Sequence, residues 1–274
     1  MEIKLSLNKD VNQNANFYFE KSKKLKGKIP GIKKTILLTK KEIKDFESQK
    51  EKYLEKQEKD KMIKLHKKKE WFDKFRSTMT SNGFLVVIGK DAVTNEVLIK
   101  KHLEDNDLVM HTQAPGSPFG LIKDGKDKIT KEDISEAIEF LCCFSSQWKK
   151  GFGTADAFYV NPDQVSKKAQ SGEYMSKGSF MIRGTKNIIK NVQLKICLGI
   201  KKEKITLEDK EVEVETMFSG SQKACKKFCG NNYIKLEPGQ SNYKALSKDI
   251  KKKLKGHIED LPKYIPNNCR ILKK

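Results

Sequence analysis

The chain has 274 residues and a formal net charge of +21, because 57 Lys and Arg residues outnumber 36 Asp and Glu residues. Its apolar runs are short, as at 84–88, whereas a membrane-spanning helix needs about 20 apolar residues. The first ten residues also lack the apolar core of a secretory signal peptide. We therefore expect a cytoplasmic protein with no membrane span.

The positive charge is unevenly distributed along the chain. Residues 1–76 have a net charge of +11, residues 77–184 of −1, and residues 185–274 of +11. A general lysine bias would raise all three segments alike, so the uneven pattern favours a polyanionic partner. Nucleic acid is the first candidate and an anionic membrane surface is the second.

The amino-terminal segment 1–76 is predicted to form a short strand at 2–7 followed by a long coiled-coil helix. From residue 11 to residue 46, apolar and small residues recur at alternating steps of four and three, which is the heptad spacing of a coiled coil. The larger of these residues are called the heptad seam: Val11, Tyr18, Leu25, Ile29, Ile32, Ile36, Ile43 and Phe46.

Gly27, Pro30 and Gly31 interrupt this segment and leave two interpretations open. A hairpin would turn at Pro30, whereas a single helix would bend there because proline removes one backbone donor. The heptad spacing keeps its phase across Pro30, which a single helix requires and a hairpin does not. We favour the single kinked helix, and its apolar seam then needs a partner helix from another chain.

Residues 77–191 mix strand and helix patterns, which predicts an α/β domain with an α+β mixed sheet. Its clearest helix lies within 129–148, where Thr130 and Asp133 have the spacing of a capping box. Residues 192–274 are predicted to form a basic β/α carboxy-terminal extension that ends in a lysine-rich helix at 242–256.

The strongest candidate binding segment is 164–190, where the otherwise neutral domain becomes basic. Cationic side chains among serines and glycines are typical of phosphate contacts. The predicted contacts are Ser166, Lys167, Lys168, Lys177, Arg183, Lys186 and Lys190, and the predicted turns include Gly172, Gly178 and Gly184. Tyr174 is predicted to stack on a base, whereas Phe180 is predicted to pack in the core.

The chain shows no catalytic or metal-binding motif, and we expect neither a cofactor nor an enzymatic activity. The six cysteines are predicted to be free thiols, and the spacing of Cys225 and Cys229 matches no standard zinc finger. His111 precedes a Pro-Gly-Ser-Pro turn, where it would be a catalytic base in a hydrolase or a structural histidine that bonds the turn. We favour the structural interpretation.

Several segments of the sequence resemble the NFACT family of ribosome-associated quality-control factors, and in particular its RNA-binding NFACT-R domain. The resemblance is carried by WFDKFR (71–76), DAVTNEVLIKKHL (91–103), DLVMHTQAPGSPFGLI (107–122), SSQW (145–148) and YVNPDQVSKKAQSGEYMSKGSFMIRGTKN (159–187). It adds Lys101, His111 and Asn187 to the predicted RNA-binding residues and Gly116 to the predicted turns. In the last 80 residues the similarity is looser.

The resemblance implies a factor that binds rRNA and peptidyl-tRNA on obstructed large ribosomal subunits. Full-length members of the family recruit tRNA so that untemplated residues are added to the carboxyl end of the stalled chain. Their NFACT-N and helix-hairpin-helix domains lie upstream of the segments matched here. We therefore expect a separate NFACT-N-type protein to bind the heptad seam. The alternative is a coiled-coil adaptor that binds an anionic membrane surface or a protein.

Overall fold

This computed structural model describes residues 3–48, 50, 54, 70–166, 177–207, 210–256, 258 and 260–272. The chain forms two compact units, Met1–Lys67 and Lys68–Lys274. Among the described residues, no helix combines the length and the apolar character that crossing a membrane requires.

The first unit is built on one helix, α1 (Val11–Ser48), which runs through Pro30 without a break. The single-helix interpretation is therefore confirmed over a hairpin for this segment. Asp10 caps the helix, because its carboxylate accepts a hydrogen bond of 2.7 Å from the backbone N–H of Gln13. The predicted continuation of the helix to residue 76 falls largely on 49, 51–53 and 55–69, which lie outside the described residues.

The heptad seam of α1 is exposed. Tyr18 is half-buried, and the other seam side chains are between 46% and 85% exposed: Val11, Leu25, Ile29, Ile32, Ile36, Ile43 and Phe46. Exposed apolar side chains along one helix face favour association with a further helix. The coiled-coil pairing itself stays a prediction.

The predicted strand at 2–7 is wrong for its described residues, since 3–6 have no regular structure and residue 7 begins a turn. A strand needs a neighbouring backbone to form its ladder. The backbone of Ser6 instead bonds the amide side chain of Asn14, which accepts from the Ser6 N–H at 3.0 Å and donates to its carbonyl at 3.1 Å. Asn14 is buried, so this contact fixes the entry into α1.

The second unit begins with a short 3₁₀ helix, Trp71–Lys74, followed by the elements of the predicted RNA-binding domain. These are β1 (Arg76–Met79), β2 (Leu85–Ile88), α2 (Ala92–His102), β3 (Leu108–Thr112), β4 (Gly120–Ile122), α3 (Lys131–Cys143), α4 (Ser146–Lys149), β5 (Thr154–Val160), β6 (Val165–Ser166), β7 (Met181–Ile182) and β8 (Asn187–Gln193).

The remainder of the second unit follows directly. It consists of β9 (Ile196–Leu207), β10 (Lys210–Gly220), α5 (Gln222–Cys229), β11 (Tyr233–Ser241), α6 (Tyr243–Lys253), α7 (Leu261–Tyr264) and β12 (Cys269–Ile271). The lysine-rich helix predicted at 242–256 is α6, whose Leu246 and Ile250 are buried.

The strands form a six-stranded sheet in the order β1-β2-β4-β3-β5-β8, a four-stranded sheet in the order β10-β9-β11-β12, and a small β6-β7 ribbon. The α+β class is confirmed. Every pairing among the described strands is antiparallel, so the large sheet is antiparallel and not mixed. Short turns or longer connecting segments join these strands, and each strand runs in the opposite direction to its neighbours in the sheet.

The six-stranded sheet is covered on both faces. On one face, Val86, Ile88 and Met110 share a core with Ile138 and Leu141 of α3. On the other face, the core contains Val87, Leu98, Val109, Leu121 and Phe158, with Leu98 supplied by α2. Complete burial of each such side chain contributes about 1.5–3 kcal/mol. The predicted capping box starts α3, because Thr130 and Asp133 bond each other's backbone N–H groups.

The segment 192–274 shares the core of α3. Leu194, Leu198 and Ile250 belong to the same buried cluster as Leu141. A polar contact also joins this segment to α3, because the Glu136 carboxylate accepts a 2.8 Å hydrogen bond from the Ser221 hydroxyl. The same carboxylate accepts a 2.8 Å hydrogen bond from the Ser81 N–H. The predicted divisions at 76/77 and 191/192 therefore differ from the compact units, which separate at 67/68. The domain division itself stays a prediction.

Candidate functional site

An open cleft of about 630 Å³ lies in the second unit. Its lining comes from the start of β1, the residues around the start of α2, the end of β3 and the loop that follows it, the ends of α3 and α4, strand β5, and the segments on either side of β7. The lining includes Arg76, Lys90, Asp91, Ala92, His111, Gln113, Gly116, Ser117, Phe119, Phe144, Lys149, Phe158, Lys177, Gly178, Phe180 and Lys186.

His111 holds the loop between β3 and β4. Its Nδ1 lies 2.6 Å from the Thr112 carbonyl oxygen and its Nε2 lies 3.2 Å from the Ser117 carbonyl oxygen. Burial lowers the pKa of His111, whereas the contacts of the ring with the Thr112 and Ser117 carbonyl oxygens act in the opposite direction. Gly116 turns the loop with a φ of +77°, a backbone conformation that favours glycine. This geometry is that of a histidine that fixes a turn.

The cleft carries five cationic side chains and one carboxylate. The cations are Arg76, Lys90, Lys149, Lys177 and Lys186, and within the described part of the chain none of them forms an ion pair. The carboxylate belongs to Asp91, which caps α2 by accepting a 2.8 Å hydrogen bond from the Thr94 amide. This bond is the main cause of the lowered pKa of Asp91. The cleft therefore has a marked excess of positive charge.

Arg76 is the most constrained of these cations. Its guanidinium carbon lies 4.6 Å from the centre of the Phe144 ring, and its Nη1 is 3.5 Å from the Gly89 carbonyl oxygen. Its Nε is buried and has no hydrogen-bond partner among the described residues. An unpartnered buried donor costs about 1–3 kcal/mol, and more on a charged group, so an acceptor from a ligand would be favourable here.

Lys90 adds a second unbalanced charge beside Arg76. Burial lowers the pKa of Lys90, and the positive charges of Arg76 and Lys263 lower it further. Asp260 and Asp91 act in the opposite direction but do not compensate. Closely spaced cations that outnumber the neighbouring carboxylates are the electrostatic pattern of an anion-binding surface.

Aromatic rings form the wall between these charges. The rings of His111 and Phe119 are 4.4 Å apart, and Phe180 meets Phe119 edge-on at 5.3 Å. The predicted core packing of Phe180 is confirmed, although the side chain is only partly buried and also lines the cleft. The ammonium group of Lys186 lies 4.6 Å over the ring of Phe158.

The segment that carries most of the cleft lining matches one family model. Residues 55–184 match the family model described as "NFACT protein RNA binding domain". The chain carries the RNA-binding domain of the NFACT family over this segment. Of the five cleft cations, only Lys186 lies beyond the end of the matched segment.

Curated relatives are similar to part of this chain. The archaeal Rqc2 homolog aRqcH of Methanocaldococcus jannaschii is 35% identical over 218 residues, which are 77% of this chain and 31% of that protein. The ribosome quality control complex subunit NEMF of Homo sapiens is 35% identical over 128 residues, or 46% of this chain and 12% of that protein. The NEMF homolog of Drosophila melanogaster is 33% identical over 144 residues, or 52% and 14%. The chain thus spans less than a third of the length of these relatives.

The chain brings some of the predicted RNA-binding residues together in the cleft, namely His111, Lys177 and Lys186, with the turns at Gly116 and Gly178. The others that are described lie outside its lining: Lys101 on α2, Ser166 in β6, Arg183 and Gly184 after β7, and Asn187 and Lys190 on the edge strand β8. Lys167, Lys168, Gly172 and Tyr174 lie outside the described residues. The RNA-binding roles of all of them stay predictions.

Sequence patterns did not predict Arg76, Lys90 and Lys149 as members of the site. Arg76 ends the segment WFDKFR, and Lys149 directly follows SSQW, so both stood in or beside segments already singled out. Lys90 stands between the buried strand β2 and the cap of α2. A basic residue at the end of a buried strand was a usable signal, because strand ends in such sheets often carry ligand-binding side chains.

The cysteines of the chain lie outside this site. All six are buried and unpaired, which confirms their interpretation as buried free thiols. Burial raises the pKa of Cys142 and of Cys269 to about 12, so both are protonated at pH 7. Cys225 and Cys229 of α5 lie in a small apolar cluster with Cys197 and Phe218.

Proposed function

We propose that this chain is an RNA-binding factor of ribosome-associated quality control, which binds rRNA and peptidyl-tRNA on obstructed large ribosomal subunits. The observation that carries the proposal is the cleft: five cations without ion pairs among the described residues, four of them inside the segment that matches the family's RNA-binding domain. Relatives with the same domain are named as ribosome quality control subunits. The proposal places this chain in the cytoplasm.

The physical basis of RNA binding is the unbalanced charge of the cleft. Each RNA phosphate that approaches Arg76, Lys90 or Lys186 gains a charge-assisted contact and displaces condensed counterions. The chain-wide charge of +21 adds long-range attraction that raises the association rate. Arg76 supplies planar donors suited to phosphate oxygens, whereas the lysines act as mobile point charges.

The heptad seam supports a further part of the proposal, a protein partner. We infer that α1 pairs with a helix of a separate NFACT-N and helix-hairpin-helix protein, because its Ile and Leu side chains are exposed along one face. The two proteins together would recruit tRNA for carboxyl-terminal tailing of the stalled chain. In this scheme the ribosome performs peptidyl transfer, and this chain has no enzymatic activity of its own.

The test is sedimentation of the tagged protein from cells in which it acts, followed by sequencing of the bound RNA. We expect co-sedimentation with split large subunits and enrichment of rRNA and tRNA. The variant Arg76→Ala/Lys186→Ala is expected to lose this enrichment, and its charge-matched control Arg270→Ala/Lys128→Ala, which lies outside the cleft, to retain it. Failure of the wild-type protein to recover rRNA or tRNA would refute the proposal, and binding to anionic vesicles instead would support the adaptor alternative.

A further inference from the structure

The cleft has the dimensions of a pocket for a small molecular group. Its volume of about 630 Å³ lies within the range of about 300–1,000 Å³ that is typical of ligand sites. A surface that only tracks the phosphates of a duplex needs no concave aromatic pocket, because double-stranded RNA is recognised across its shallow minor groove and its backbone. The concavity therefore requires its own explanation.

The wall of the cleft can receive a flat ring. His111 and Phe180 are both only partly buried, and they flank the buried ring of Phe119 at 4.4 Å and 5.3 Å between ring centres. Phe119 itself is 5% exposed, so it supports its two neighbours and offers little surface. Aromatic side chains of this kind stack on unpaired bases in single-stranded RNA.

The cations of the cleft can receive the phosphate that accompanies a base. The Nε of Arg76 lacks a partner among the described residues, and Lys90 is close enough for Arg76 to act on it electrostatically. The Asp91 carboxylate, which caps α2 through the Thr94 amide and hydroxyl, is the one acidic side chain in the cleft lining beside five cations, so it offsets only part of their charge.

The cleft also contains a group that can bond the edge of a base. Gln113 follows β3, its side chain is exposed, and it lines the cleft. Its amide offers both a donor and an acceptor, and neither has a hydrogen-bond partner among the described residues. An aromatic wall, a cationic end and a free amide together match the three parts of a nucleotide.

We propose that the cleft binds one unpaired nucleotide of an RNA strand, with the base against His111 and Phe180 and the phosphate at Arg76 and Lys90. This inference rests on the proposed RNA-binding function and deepens it. It assigns to the cleft a preference for RNA with an extruded or single-stranded nucleotide over fully paired RNA.

Two RNA hairpins with the same number of phosphates test the proposal. One is fully paired, and the other has a single bulged 2-aminopurine. Binding is measured by fluorescence anisotropy at one fixed salt concentration, together with the 2-aminopurine emission. We expect the bulged hairpin to bind about tenfold more tightly, and its emission to be quenched by stacking. Adenosine monophosphate at millimolar concentration should weaken binding of the bulged hairpin more than binding of the paired hairpin.

The variant Phe180→Leu keeps an apolar side chain on Phe119 and removes the stacking ring. We expect it to lose the preference for the bulged hairpin, so that the two hairpins bind with similar affinity. Phe152→Leu is the matched control, since Phe152 is exposed and lies outside the cleft. If Phe180→Leu does not fold, the affinities of the wild-type protein for the two hairpins and the 2-aminopurine emission are sufficient to test the nucleotide pocket.

The two possible failures are distinct. Equal affinity for both hairpins, with unchanged emission of the bulged base, would overturn the nucleotide pocket and leave RNA binding in place. Absence of binding to either hairpin at low salt would overturn both the pocket and the proposed function.

Discussion

The guanidinium of Arg76 stacks on the ring of Phe144, with 4.6 Å between the guanidinium carbon and the ring centre. Arg76 begins β1, whereas Phe144 directly follows α3, so the contact joins two elements that are 68 positions apart in sequence. A cation–π contact of this kind contributes about 0.5–2 kcal/mol. It fixes the direction of the guanidinium and so keeps an unsatisfied donor at the cleft.

Replacement of this arginine should weaken RNA binding. For Arg76→Ala we expect a loss of affinity of about tenfold or more, because a hydrogen bond to a charged group contributes about 1.5–3 kcal/mol. Arg76→Lys keeps the charge but lacks the planar donors, and it should recover only part of the loss. The dissociation constant is measured by fluorescence anisotropy. Arg270→Ala, which removes an exposed arginine paired with Glu237, serves as the control and should bind as the wild-type protein does.

The lysines of the cleft should determine the salt dependence of binding. Removal of both Lys149 and Lys186 is expected to reduce the slope of log Kd against log salt by ~1.4, since each phosphate contact with single-stranded nucleic acid contributes ~0.7. The control Lys128→Ala/Lys131→Ala removes two exposed lysines that do not line the cleft. Equal slopes for the two double variants would show that Lys149 and Lys186 do not contact phosphate.

Gly178 and Gly116 provide a matched pair for backbone strain, because both have a φ of +77°. A Cβ at Gly178 would lie 2.5 Å from the Ala92 carbonyl oxygen, whereas a Cβ at Gly116 would meet nothing within 4 Å. We expect Gly116→Ala to cost about 1–2 kcal/mol from the left-handed backbone alone. Gly178→Ala should lower the free energy of unfolding by more than Gly116→Ala does. The difference between the two losses measures the steric overlap of the new Cβ with Ala92 of α2. Urea unfolding gives both values, and equal costs would contradict this account.

Asp107 and Lys123 form a salt bridge of 2.7 Å, in which the aspartate side chain is fully buried. Burial is the largest influence on Lys123 and lowers its pKa, but hydrogen bonds to Asp107 and Glu104 together raise it. Asp107→Asn should lower the free energy of unfolding by about 3 kcal/mol, because it leaves a largely buried cation without its main partner.

Glu104 binds the same ammonium group at 2.9 Å, but its side chain is 67% exposed. Glu104→Gln should therefore destabilise the protein far less than Asp107→Asn, since exposed salt bridges contribute little. Chemical denaturation of the two variants compares them directly. A larger loss for Glu104→Gln than for Asp107→Asn would show that burial does not decide the strength of the pair.

Glu139 of α3 should make the stability of the protein fall as the pH rises. Burial, reinforced by the negative charge of Glu136, raises the pKa of Glu139 from 4.5 to about 7. In this pH window the folded state holds the proton that the unfolded state has already released. The resulting stabilisation is complete below about pH 4.5 and is lost as the pH rises through 7, by up to about 3 kcal/mol.

The variant Glu139→Gln remains neutral and should lack this loss. Urea unfolding between pH 4.5 and pH 8 is measured for the variant and the wild-type protein. We expect the stability of the variant relative to the wild type to increase with pH, and the contributions of other titrating groups to cancel in the difference. A constant difference across this range would mean that Glu139 titrates normally in the folded state.

Local patterns in the sequence were sufficient for the individual elements. The heptad spacing predicted α1 through Pro30, and the Thr130–Asp133 capping box predicted the start of α3. These succeeded because helix periodicity and capping depend on residues three or four positions apart. The alternation at 2–7 failed as a strand signal, since alternation says nothing about which backbone will complete a ladder.

The sequence by itself determined the resemblance to the NFACT family, the α+β class, the heptad seam of α1 and the segments that contain His111, Lys177 and Lys186. His111, Lys177 and Lys186 were predicted because they stand in segments whose composition or resemblance is distinctive. Only the tertiary structure decided that Arg76, Lys90 and Lys149 join them. Arg76 lies in β1, Lys90 between β2 and α2, and Lys149 in α4, so packing between separate parts of the fold brings them to one cleft. Such packing leaves no periodic signal in the sequence.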